Sequence, residues 1–128
     1  MLFRSDIEFA RWGDANKPPG NFSVWPAVKE VKGKPYSFDF KLDGDYTTQR
    51  FDWSPQSVKF QMLGGHRDDD ANAIAEWNYA PAEPEKYVPQ QALPLHLNFW
   101  LFRGKAPQNG QEAEIVIRKF SFTPRKAD

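Results

Sequence analysis

Apolar and polar residues alternate wherever this 128-residue chain is regular, and a period of two is the mark of a strand with one buried face. In "YSFDFKLDG", Tyr36, Phe38, Phe40 and Leu42 fall on one face and Ser37, Asp39 and Lys41 on the other, before an Asp43-Gly44 turn signal. "TTQRFDWSP" stops at Pro55, and "SVKFQML" sets Val58, Phe60 and Met62 opposite Lys59 and Gln61. A hairpin through Ser54-Pro55-Gln56 is therefore expected, with Gly64 and Gly65 turning the chain after it. "HRDDDANA" has no period and reads as a surface loop. "AIAEWNYA" alternates again, and the Pro-rich connection from Pro81 to Pro94 is expected to cross the surface. Two strong strands are expected to close the chain. "LHLNFWLF" has Leu95, Leu97, Phe99 and Leu101 on one face, and the long alternating "EAEIVIRKFSF" follows a "PQNGQ" turn. Neither helical periodicity nor an internal repeat is found. The pattern predicts an all-β chain, an antiparallel β-sandwich, with residues 1–128 as a single domain.

Composition supports this reading. Phe, Trp and Tyr make up 16% of the residues, with five Trp, 11 Pro and 8 Gly, a mixture suited to many short strands joined by turns. Seventeen basic residues balance 17 acidic ones, so no broad field draws the chain to nucleic acid or to an anionic membrane, and neither is expected as a partner. The absence of cysteine removes disulfide and thiolate chemistry. With His66 and His96 as the two histidines, no zinc pattern exists. Asp68 to Asp70 offer oxygen ligands to calcium but read first as a solvated loop, so neither a metal nor a cofactor is expected. "MLFRSDIEF" has the pattern of neither a signal peptide nor a membrane span.

Two stretches carry polar groups in strand register. In "RSDIEFARWG", Arg4, Asp6, Glu8 and Ala10 share one face, and Phe3, Ile7 and Phe9 take the other. The plain reading is a solvated Arg-Asp-Glu ladder on an amphipathic strand; the chemical one is a carboxylate pair facing a groove. In "LHLNFWLF", His96, Asn98, Trp100 and Phe102 line up opposite a wholly apolar face. Either another element covers that row, or it floors a cleft where rings stack on a sugar and Asn98 bonds its hydroxyls.

Five blocks in order, "DIEFARWG", "NFSVWP", "RFDWSPQSVKFQ", "LPLHLNFWLFRGKAP" and "GQEAEIVIRKFSFTP", together resemble the family-sixteen glycoside hydrolases, the laminarinase and lichenase group. The resemblance runs from residue 5 to about 124. It implies a concanavalin A-like jelly roll and retaining cleavage of β-glucans by a Glu-x-Asp-x-Glu strand. By that resemblance Asp6 is the assisting aspartate and Glu8 is the general acid/base; from their place on a cleft-facing row or their rings, Trp12, His96, Asn98 and Trp100 are the candidate substrate contacts, while Trp25, Trp53 and Trp77 can all be core. Retention needs a second carboxylate about 5–5.5 Å from the acid, to attack the anomeric carbon. The chain departs from the motif there, because Arg4 stands where the nucleophilic glutamate belongs. Arginine forms no glycosyl ester, and its charge is expected to lower the pKa of Asp6 and Glu8, against the rise that Asp6 alone would give Glu8.

In the family this strand lies mid-domain, so the chain corresponds to a C-terminal half. Its open edges are then expected to be closed by rearrangement into a smaller sandwich or by self-association as a homodimer. The resemblance also implies an extracellular or periplasmic location. Three functions follow: a hydrolytically silent relative, a non-catalytic module binding β-glucan, or a folded remnant without activity.

Overall fold

The computed structural model describes residues 3–26 and 31–126. Six strands form two antiparallel sheets. The first has the order β1-β2-β3, from Arg4–Phe9, Gly20–Trp25 and Lys34–Phe38; the second has the order β4-β5-β6, from Thr47–Trp53, Val58–Gly64 and Ala73–Tyr79. Each sheet is a meander, so the alternation expected from the sequence is realised as local hairpin pairing. The chain divides into two compact units, Met1–Leu93 and Pro94–Asp128, and both sheets belong to the first.

The central strands carry the core. β2 turns Phe22 and Val24 inward, β5 turns Val58, Phe60 and Met62 inward, and all are buried. The Phe22 and Phe60 rings stack with centroids 5.2 Å apart, and Tyr36 lies over Trp77 at 5.6 Å. These ring contacts hold the two sheets face to face, so the first unit is an antiparallel β-sandwich. Burying one such aromatic side chain is worth about 1.5–3 kcal/mol, which makes this ring cluster the main source of cohesion between the sheets.

The predicted hairpin forms. Trp53 pairs with Val58, the Ser54 N–H donates to the Ser57 carbonyl at 2.9 Å, and the Ser54 hydroxyl accepts from the amides of Gln56 and Ser57 at 3.2 and 3.1 Å. Gly65, with φ of +81°, turns the chain as expected, and its N–H donates to the Tyr46 carbonyl at 2.8 Å. The Asp43-Gly44 turn links the two sheets, and β3 is shorter than its pattern. Gly20, the first residue of β2, pairs with Phe38, so the alternating run beyond Phe38 has no ladder partner and Leu42 is exposed. Gly20 itself is required there, because a Cβ at that position would run into the Phe38 ring.

The Pro-rich connection does more than cross the surface. After a short helix, α1 (Pro84–Tyr87), Val88 and Pro89 are buried, and Val88 joins the core cluster. The Trp53 indole N–H donates to the Pro89 carbonyl at 2.9 Å, and the Gln90 amide donates to Pro55 O at 2.8 Å and Val88 O at 3.0 Å. An apolar side chain between prolines closes the end of the core, and period alone did not reveal this.

In the second unit the "PQNGQ" turn forms, with the Gly110 N–H donating to the Pro107 carbonyl at 2.9 Å. The two closing strands do not. Among the described residues this unit contains no strand; its one regular element is a 3-10 turn at Phe102–Gly104. Alternation specifies the kind of neighbour a strand needs, but a ladder also needs the neighbour's N–H and C=O groups, and neither Leu95–Phe102 nor Glu112–Phe122 finds them. Apart from the half-buried Phe102, their large apolar side chains, from Leu95 to Phe122, remain 51–76% exposed. Among the described residues no helix is long and apolar enough to cross a membrane.

Candidate functional site

The face of β1 that carries Arg4, Asp6 and Glu8 lies opposite Trp25, Ser23 and Asn21 of β2. Ile7, Phe22 and Val24 face the core on the other side, so burial of the apolar row fixes the polar row outward. On this polar face four residues close a ring of contacts. Arg4 Nε donates to Asp6 Oδ2 at 2.7 Å, the Ser23 hydroxyl donates to the same oxygen at 3.3 Å, and Trp25 Nε1 donates to Ser23 Oγ at 3.0 Å. The circuit ends where the Arg4 guanidinium lies 4.9 Å from the centroid of the Trp25 ring. Ser23 is fully buried, and its hydroxyl is satisfied on both sides by these bonds. Next to this ring, Asn21 accepts from the Ser37 hydroxyl at 2.6 Å and donates to the Ala10 carbonyl at 3.4 Å.

Glu8 stands two residues beyond Asp6 on the same face and is half-buried. Burial pushes its carboxyl above the usual glutamate value, and the negative charge of Asp6 pushes it further; the Arg4 charge pulls it back only in part. The expectation that arginine would govern Glu8 is thereby corrected. Arg4 acts in the expected direction, but desolvation of Glu8 outweighs it, since the guanidinium is drawn onto Asp6 and Trp25.

Trp12 sits in the turn between β1 and β2, with a positive φ of 52° and 37% of its surface exposed. Ala10 N–H to Pro19 O at 2.8 Å closes this loop, and Arg11 braces it by donating to the carbonyls of Ala15 and Lys17. His96, Asn98 and Trp100 lie in the second unit and are exposed; there the Trp100 ring meets the Phe102 ring edge-on at 6.0 Å. The row expected to floor a cleft is thus not held on a strand. Of the remaining tryptophans, Trp53 and Trp77 pack against the core, whereas Trp25 belongs to the polar face.

Ser23, Asn21 and Trp25 were not singled out from the sequence as members of the site. The three share one face of β2, and the β1–β2 register sets that face beside Asp6 and Glu8.

The acidic run in the β5–β6 loop is used in clamping. Arg50 bonds the Asp70 carboxylate and donates to the Asp69 carbonyl at 3.0 Å, and Asp69 also accepts from the Ala71 amide at 3.0 Å. Among the described residues no three His, Asp or Glu side chains come together in a way that could hold a metal ion.

No family model, curated protein or solved structure matches this chain.

Proposed function

We propose that this chain is a relative of the family-sixteen glycoside hydrolases that does not hydrolyse glucan, and that the polar face of β1 and β2 binds a β-glucan. The observation that carries the reading is the engagement of Arg4. It occupies the position two before Asp6, where retaining chemistry needs a carboxylate nucleophile, and it is held there by the Asp6 carboxylate and the Trp25 ring. Glu8, with its raised pKa, is suited to hold a proton for a leaving oxygen. Arg4 stands where the nucleophilic carboxylate belongs, and the other carboxylate of this face, Asp6, is engaged by Arg4 and Ser23, so that proton has no reaction to complete.

The remaining groups suit binding. The exposed Trp12 ring offers an apolar face for a pyranose, and Glu8, Asn21 and Ser37 offer acceptors and donors to hydroxyls. The test pairs two measurements on laminarin and mixed-linkage β-glucan. Reducing-sugar release is expected to be absent from the parent protein, and saturable quenching of tryptophan fluorescence is expected to be present. Release by the parent would overturn the silent-relative reading; absence of quenching would overturn glucan binding. The Arg4→Glu variant restores the carboxylate by sequence, and turnover gained by it alone would identify Arg4 as the silencing residue.

A further inference from the structure

The segment "EAEIVIRK", Glu112 to Lys119, is charge-complementary to itself when reversed. Its acids, Glu112 and Glu114, precede a three-residue apolar centre, and its bases, Arg118 and Lys119, follow that centre. In the structure this centre is without a strand partner, with Ile115, Val116 and Ile117 exposed at 64%, 57% and 56%. A strand-patterned segment with open backbone groups and a bare β-branched core is a template for pairing.

We propose that this segment pairs antiparallel with the same segment of a second copy, about a two-fold axis through Val116. That register sets Glu114 directly opposite the partner's Arg118, and Arg118 opposite the partner's Glu114, on one face. On the other face Ile115 meets the partner's Ile117, so the apolar residues cover each other. A shift of one residue would place Glu114 against Ile117 and lose both Glu114–Arg118 pairs. Parallel in-register stacking would set Glu114 on Glu114 and Arg118 on Arg118, and like charges directly opposite repel.

The occupant is a second copy because the segment carries both halves of its own match, as a two-fold interface requires. The chain's formal net charge of 0 places no long-range repulsion between copies. One strand pair is a small interface, so the expected dissociation constant is on the order of micromolar. This proposal stands apart from the glucan reading, which concerns the other unit.

Sedimentation velocity on the full chain across a range of concentrations tests it. The parent is expected to pass from monomer to dimer, with weaker association at high salt. Glu114→Arg alone and Arg118→Glu alone each replace two attractive pairs with two repulsive ones, and should weaken the dimer by roughly 10- to 100-fold. The Glu114→Arg/Arg118→Glu double variant restores both pairs with reversed sign and should regain the parent's dimer. Both side chains are exposed, and an unchanged circular dichroism spectrum verifies that each variant folds. A parent that stays monomeric overturns the proposal, as does a dimer indifferent to the single swaps or a double variant as weak as the singles.

Discussion

At Glu8, two opposing charges and one desolvation penalty meet in a single carboxyl, and the pH dependence of stability follows from which of them wins. Its folded-state pKa is raised above the ordinary glutamate value of 4.5, so the folded protein holds this proton more tightly than the unfolded chain. The stability this contributes is fully present below pH 4.5 and is lost as pH rises through the raised folded value. Glu8→Gln cannot lose the proton. Thermal midpoints followed from pH 4 to 7 should therefore decline less for Glu8→Gln than for the parent; parallel curves would show that the desolvation is not felt. Ser23 gives the complementary case, because its buried hydroxyl joins the Trp25 indole to the Asp6 carboxylate. Ser23→Ala leaves the indole N–H without its acceptor, and urea denaturation should show a loss of about 1–3 kcal/mol. Asp6 and Glu8 were legible as a pair from the period of two alone. The ring around them was not, because Ser23 and Trp25 reach Asp6 only through a β1–β2 register fixed at a distance in sequence.

Among the elements, what could be read from the sequence separates from what could not by whether the partner strand is local. β4 and β5 share a four-residue connection whose Ser54 hydroxyl caps the turn, and β6 follows one loop later. Each contact is near in sequence, so alternation and turn chemistry were sufficient. Val88 gave no periodic signal, because a single residue plugging a core has no period. The two closing segments read as strong strands and form none, since pattern describes one side of a pairing only. The energetic consequence is a sharp contrast between the units. Phe60 is fully buried and stacked on both Phe22 and Trp77, so Phe60→Ala should cost about 3–5 kcal/mol in urea denaturation. Leu97 is equally apolar but 63% exposed, so Leu97→Ala should stay within about 0.5 kcal/mol of the parent. A large cost at Leu97 would mean that its segment is covered after all.

For the whole molecule, pairing of the exposed Glu112–Lys119 segments would make stability a function of concentration. An association that requires folded chains draws the equilibrium towards the native state by mass action, so the thermal midpoint must rise with protein concentration if the Glu112–Lys119 segments pair. The rise should be seen in the parent and in the Glu114→Arg/Arg118→Glu double variant, and should flatten in Arg118→Glu, where the same apolar surface is present but the charges across the two-fold repel. This comparison separates specific pairing from general stickiness of Ile115, Val116 and Ile117, because non-specific association would persist in all three proteins. A midpoint independent of concentration in the parent would remove the second copy from the picture and leave these rows bare, as the structure describes them.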